Sequence, residues 1–133
     1  MKTIDLPQNS PEWLEFRRGG VGASDIAAIM GHNPYKDAVD VYREKMGIEQ
    51  EVNAYMQRGK DNELGARLRF CEEHGLTFVP LVVVDEEEPR FFASLDGYCE
   101  EKNWILEIKT PGKKTLEMAK NGKMPPYYFY QIQ

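Results

Sequence analysis

The chain has 133 residues, 41% of them hydrophobic and 29% charged, with a formal net charge of −5. That length suits one compact domain of roughly 100–150 residues, and the composition is that of an ordinary globular protein. No run approaches the roughly 20 apolar residues a membrane helix needs, and the N-terminus lacks the apolar segment of a secretory signal. Two isolated cysteines and two histidines make a structural zinc shell a poor expectation; Cys71 and Cys99 are read as free thiols and the site of action as cytoplasmic.

In chain order, Ser10-Pro11-Glu12 predicts a short helix, with Ser10 as N-cap and Pro11 at the first helical position. Arg18–Gly22 holds three glycines and is expected to be loop. Ser24 or Asp25 then caps a second helix, Asp25–Met30, which Gly31 closes. A third, near Asp37–Met46, carries Val39, Tyr42 and Met46 at helical spacing and stops at Gly47. The longest helix is expected from about Asn53 to His74, with Tyr55, Leu64, Leu68 and Cys71 turned inward and Gly75 as its C-cap. Gly59 and Gly65 weaken its continuity.

The second half changes character. Thr77–Val84 is rich in β-branched residues and leads to an acidic turn, Asp85–Pro89; Pro80 marks an edge or a bulge. Arg90–Leu95 reads as a second strand with Asp96-Gly97 at or just after its end, and Asn103–Lys109 as a third, giving an antiparallel meander. A helix near Thr115–Asn121 follows, and another begins after Pro125-Pro126. A mixed sheet flanked by helices would continue past this point, so the chain is expected to be truncated at its C-terminus.

Chemistry concentrates in Ser94-Leu95-Asp96-Gly97 and, eleven residues after Asp96, in Glu107-Ile108-Lys109. On a strand, alternate residues share a face, which would bring Glu107 and Lys109 together about 6.5–7 Å apart. Asp96 would be drawn alongside by the turn through Glu100–Asn103. Two neighbouring carboxylates repel unless a cation joins them, and a hard divalent ion (Mg²⁺, Mn²⁺ or Ca²⁺) is the natural partner for oxygen ligands. Such an ion polarises a phosphate and acidifies water. A lysine ammonium ordinarily stays charged near neutral pH, which favours an orienting and electrostatic role for Lys109 over a basic one. An acidic residue two before a lysine is common on solvated strands, so this pattern alone is weak.

Further residues strengthen it. Asp96 followed by Glu107-x-Lys109 resembles the PD-(D/E)xK nuclease signature, with Leu95 standing where the motif has proline. Trp13-x-x-x-Arg17 with Gly22-Ala23-Ser24, the Gly59-Lys60-Asp61-Asn62-Glu63 element, Leu106–Pro111 and Tyr130-Gln131-Ile132-Gln133 together resemble the phage lambda exonuclease and YqaJ-type viral recombinase family. That resemblance implies a restriction-endonuclease-like α/β core: a mixed central sheet flanked by helices, spanning residues 1–133 as one domain. It also implies a Mg²⁺-dependent deoxyribonuclease, with Mn²⁺ able to substitute. Glu63, Asp96, Glu107 and the Ile108 backbone carbonyl are implied as metal ligands, Lys109 as the catalytic lysine, and Gln131 as its neighbour. Arg17 and Ser24 are implied to hold a DNA phosphate. The best-known branch degrades duplex DNA from 5′ to 3′ in phage recombination, in a bacterial or infected host cell. Its members form ring-shaped homotrimers and work beside a single-strand annealing protein. Ring assembly would need the portion past Gln133.

The alternatives are an endonuclease of the same fold and a non-catalytic DNA-binding module. The net charge of −5 leans mildly against nucleic acid, so phosphate contacts must come from a few local cations. Arg17, Arg18, Lys113, Lys114, Lys120 and Lys123 are the candidates. Trp13 and Trp104 are read as packing residues, the aromatic run Tyr127–Tyr130 as a helix buried against the sheet, and His32 as part of a turn. Gly59 is expected to permit a close backbone approach beside Glu63, and Glu49–Glu51 a solvated loop.

Overall fold

The computed structural model describes residues 1–48 and 53–132; Glu49–Glu51 and Gln133 of the motif above lie outside them. Eleven elements follow one another: β1 (Lys2–Ile4), α1 (Pro11–Arg18), β2 (Val21–Gly22), α2 (Ala23–Ile29), α3 (Ala38–Lys45), α4 (Ala54–His74), β3 (Val79–Val84), β4 (Phe91–Cys99), β5 (Trp104–Leu106), α5 (Lys113–Lys120) and α6 (Pro126–Ile132). Among the described residues no helix is long and apolar enough to cross a membrane.

The mixed sheet is built around β4. β3 lies antiparallel along one side of it and carries β1 on its far edge. The other side is shared: β2 pairs parallel at Phe91 and Phe92, and β5 pairs antiparallel at Gly97–Cys99. The expected meander of three strands is therefore present. Val82, Val83 and Val84 of β3 and Phe92, Leu95 and Cys99 of β4 form the buried core with Ala27, Ala28 and Val41 from the helices. Pro80 has no N–H for the ladder, and the register slips between Val79 and Leu81 as a bulge. The Gln8 side-chain amide crosses this slip, donating to the Leu95 carbonyl at 2.9 Å and the Leu81 carbonyl at 3.2 Å.

Several expectations need correction. The glycine stretch is not all loop, because Val21–Gly22 forms a strand, and its glycines are needed for closeness. A Cβ on Gly20 would sit 2.3 Å from the Arg90 carbonyl oxygen, and one on Gly22 would sit 2.9 Å from the Phe92 ring. Gly59, by contrast, has open space around it and allows no special approach. β4 runs on through Asp96 and Gly97 to Cys99, whereas β5 stops at Leu106, leaving Glu107 and Lys109 in the irregular chain beyond it.

The helix faces also differ. Val39, Tyr42 and Met46 are exposed on α3 and Val41 is buried instead. On the unbroken α4, Tyr55, Leu64 and Leu68 face solvent, while the half-buried stripe is Glu63, Arg67, Phe70 and Cys71. The helix turns a polar pair, not leucines, towards the sheet. Trp104 is exposed, and α6 packs on α2 rather than on the sheet. The caps at Ser10 and Gly75 stand as expected, with Gly75 at φ 63°, and Asp37 and Asn53 prove to be the N-caps of α3 and α4.

Candidate active site

Asp96 lies inside β4, on the face opposite the buried Leu95, Gly97 and Cys99. Gly97 is what lets the next strand close on it. Its partner is Leu106, and a Cβ there would meet the Phe78 Cβ at 2.9 Å and the Leu106 Cβ at 3.3 Å. With that contact made, the chain leaving β5 runs past Asp96, and Asp96 Oδ2 accepts from the Ile108 N–H at 2.7 Å. One hydrogen bond thus ties the two halves of the motif together.

Glu107 and Lys109 form an ion pair through Oε1 and Nζ. α6 returns to the same place: Gln131 Nε2 donates to Glu107 Oε1 at 2.5 Å, while Gln131 Oε1 accepts from Lys109 Nζ at 2.9 Å. The amide closes a triangle in which one end is anionic and the other cationic. Lys109 also lies over the Tyr128 ring, 5.3 Å from Nζ to the centroid. α6 is seated by His32, whose ring stacks on Tyr130 at 4.5 Å and 7°. His32 is structural, as its turn suggested.

The electrostatics are unbalanced. Burial pushes the Glu107 carboxyl above its ordinary value, and the nearby charge of Asp96 adds to that rise; the ion pair with Lys109 and the Gln131 hydrogen bond oppose it without cancelling it. The ionised pair of carboxylates is short of positive charge. Tyr128 is raised too, to about 12, by burial first and then by Tyr127, Tyr35 and Glu107.

Glu63 is beside this site but is held by a residue the sequence did not single out. Arg67, one helical turn later, donates from Nη1 to Glu63 Oε1 at 3.1 Å and to the Asp96 backbone carbonyl at 2.7 Å. Its side chain is only 12% exposed. An i,i+4 Glu–Arg pair is so ordinary on helices that nothing marked this one as a tie to the sheet.

The candidate phosphate pair sits on α1 and α2, which pack beside β2 on the side of β4 that β5 shares. Arg17 Nη2 donates to Ser24 Oγ at 3.3 Å and its guanidinium lies over Trp13, 4.6 Å from the centroid. Trp13 Nε1 donates to Ser94 Oγ at 3.0 Å, so the tryptophan packs between α1 and β4 as expected. Arg18 pairs with Glu15 on the surface at 2.8 Å. Neither Ser24 nor Asp25 is the N-cap of α2; Gly22 is, and the Gly22 N–H is satisfied by Asp25 Oδ2 at 3.0 Å. Asp25 is 0% exposed and belongs to a further cluster with Lys36 and Lys45.

The donor set suits a hard cation in part. Among the described residues no three His, Cys, Asp or Glu side chains gather to cage an ion by themselves. Glu63 faces Arg67 and does not complete a trio. What remains is two carboxylates, Asp96 and Glu107, with a charge deficit between them. Mg²⁺-type ions are commonly held by one or two carboxylates, the remaining positions being filled by water and substrate phosphate.

A mixed α/β sheet with this carboxylate–lysine site at one strand end defines a lambda-exonuclease-like fold of the restriction-endonuclease class. The chain belongs to the YqaJ-like viral recombinase domain family, whose profile matches residues 12–133. It is similar to the alkaline exonuclease LHK-Exo from Laribacter hongkongensis, at 32% identity and a TM-score of 0.72 over 92% of this chain and 64% of that one. The crystal structure of LHK-Exo in complex with dAMP gives 30% identity and a TM-score of 0.71, covering 92% and 65%. Protein YqaJ of Bacillus subtilis is 24% identical over 127 residues, which is 92% of this chain and 40% of YqaJ. Protein R354 of Acanthamoeba polyphaga mimivirus, itself uncharacterised, is 25% identical over 150 residues, 99% of this chain and 27% of its own. The chain spans less than two thirds of the length of each of these relatives.

Proposed function

We propose that this chain, as one domain over residues 1–133, is a divalent-metal-dependent deoxyribonuclease that removes nucleotides from duplex DNA ends, 5′ to 3′, in phage-type recombination. The observation that carries this reading is the convergence of Asp96, Glu107, Lys109 and Gln131 from β4, the chain after β5, and α6. Kinship with an alkaline exonuclease, one form of which was captured with dAMP, supports the reaction class.

In this reading Asp96, Glu107 and the Ile108 carbonyl would hold Mg²⁺, with Mn²⁺ as a substitute, and Glu63, paired here with Arg67, would serve a water or a second ion. When bound, the cation supplies Lewis-acid polarisation of the phosphoryl oxygens. Lys109 orients the attacking water and offsets the charge gathering on phosphorus. Gln131, bonded to both the Lys109 ammonium and the Glu107 carboxylate, fixes the orientation of that ion pair. The water oxygen bonds to phosphorus as the bond to the departing 3′ oxygen breaks; the water gives up one proton and the departing oxygen takes one. Arg17 and Ser24 anchor a phosphate of the same DNA. A cytoplasmic site, a homotrimeric ring and a single-strand annealing partner complete the proposal.

Incubation with linear and circular duplex DNA, with Mg²⁺ or with EDTA, tests it. Loss of linear DNA only, and only with Mg²⁺, is the expected result. A cut circle would make the protein an endonuclease, and DNA bound but uncut would make it a binding module. Lys109→Ala should lower the rate about 10²–10³-fold in a protein that still folds, since preorganised donors of this kind contribute that much.

A further inference from the structure

The buried carboxylate of Asp25 lies outside the catalytic cluster, and nothing in the proposed reaction uses it. Its surroundings link three elements. Asp25 Oδ2 accepts from Lys45 Nζ at 2.8 Å and from the Gly22 N–H at 3.0 Å, and Oδ1 lies 3.5 Å from Lys36 Nζ. Lys45, on α3, also donates to the backbone carbonyl of Arg17 at 2.7 Å, at the last turn of α1. Its side chain is 19% exposed and sits 5.5 Å from the Phe92 ring, the same ring that faces the Arg17 guanidinium at 5.7 Å. Lys45 therefore bridges α1 at Arg17 and α2 at Asp25, the residue next to Ser24.

The charges are distributed to one purpose. Lys36 and Lys45 are taken up by Asp25 and Glu44, with Lys36 Nζ 2.5 Å from Glu44 Oε2. Among the described residues Arg17 has no carboxylate partner; it touches a hydroxyl and two aromatic rings. Arg18, its neighbour, is paired with Glu15. The cluster fixes where Arg17 and Ser24 stand relative to each other and leaves the Arg17 charge unspent for an anion. A planar guanidinium recognises phosphate through directed N–H bonds, so its position decides how well it binds.

We infer that Asp25 and Lys45 are positioning residues for a DNA-phosphate subsite formed by Arg17 and Ser24, Lys45 acting through Arg17 and never touching the phosphate itself. This rests on the phosphate role proposed above for Arg17 and Ser24, and the test separates the two. Affinity for a short duplex is measured against salt, in a Lys109→Ala background with EDTA present to stop residual cleavage, for Arg17→Ala, Lys45→Met and the double variant. Arg17→Ala should weaken binding and flatten the log–log salt dependence by about 0.9, the loss of one phosphate contact. Lys45→Met should weaken binding with Arg17 present and change neither affinity nor slope once Arg17 is gone.

An equal loss of affinity from Lys45→Met in both backgrounds would mean that Lys45 meets DNA directly or acts only through overall stability, and would overturn the inference. Unchanged binding in Arg17→Ala would overturn the phosphate subsite and the inference with it, a result distinct from the first. Should Lys45→Met fail to fold, Lys45→Arg serves. It keeps the cation but not the geometry, and the same dependence on Arg17 is expected of any affinity it loses; a loss that persists without Arg17, or no loss at all, overturns the inference.

Discussion

Two clusters in this molecule are built from the same side chains, carboxylates and lysines partly or wholly withdrawn from water, and they behave in opposite ways. At Asp25, burial works against the ionised form, yet Lys45, the Gly22 N–H and Lys36 together outweigh it and hold the carboxyl below its ordinary range. At Glu107, burial is joined by the charge of Asp96, and a single lysine with one amide does not make up the difference, so the carboxyl rises. Two carboxylates, Asp25 and Glu44, matched by two ammonium groups are a finished structural joint. Two carboxylates with one lysine are an incomplete one, and the missing positive charge is the chemical signature of the site. Partner count, not residue type, separates the anchor from the reactive centre.

Removing the anchor should have the largest effect. Asp25→Ala leaves Lys45 and the Gly22 N–H facing a buried hole and is expected to lower stability by about 3–5 kcal/mol, as breaking a buried ion pair does. Its pH dependence has a definite sign. The folded pKa lies below the ordinary value of 3.8, so the contribution of Asp25 is complete above that range and fades as the pH falls through the folded value. Chemical denaturation at falling pH should show wild type and variant converging in acid. A constant gap would mean that the ionised carboxylate is not what stabilises.

Arg67 comes next, because it joins the reactive centre to α4. Arg67→Met keeps the aliphatic stem and leaves the Asp96 carbonyl without its donor, for an expected loss of about 1–3 kcal/mol. Its activity should fall further than its stability alone explains, since Glu63 is released at the same time. Equal activity in a folded variant would remove Glu63 and Arg67 from the account of the site.

The smallest effect is the most telling in direction. Glu107→Gln, measured in EDTA, should raise the melting temperature at neutral pH. The folded pKa of Glu107 lies above its ordinary 4.5, so stability is fullest below the unfolded value and falls as the pH rises through the folded one. Above it the charge is a net cost, and a neutral amide avoids that cost. A destabilised variant whose deficit grows with pH would show that Lys109 and Gln131 already balance Glu107.

Much of this was legible in the sequence, for reasons that also explain what was not. Asp96, Glu107 and Lys109 are marked by a hairpin whose turn, Glu100–Asn103, sets their separation, and Asn103 takes φ 53° in the turn. Gln131 came only through the resemblance, because no local pattern connects a residue on α6 to one after β5. The caps at Ser10 and Gly75 and the Pro80 bulge are local chemistry and are legible in the sequence; the cap of α2, at Gly22, is not. Strands β1 and β2, with three and two residues, are too short to carry a period and exist only because β3 and β4 offer edges to them. The face of α4 was misread because its leucines outvote Glu63 and Arg67 in any hydrophobicity argument, while the sheet beside it offers a carbonyl that an arginine can satisfy. Asp25 was seen as a cap and proved to be a buried anchor, a difference made by lysines 11 and 20 residues away.

The central claim is that Asp96 and Glu107 share an environment short of one hard cation, and thermal denaturation against Mn²⁺ and Mg²⁺ tests it most directly. A cation that binds only the folded site at 100 times its dissociation constant adds about 2.7 kcal/mol. The account predicts a saturable rise in the wild type that disappears in both Asp96→Asn and Glu107→Gln. No rise in the wild type, or the same rise in all three proteins, would contradict it.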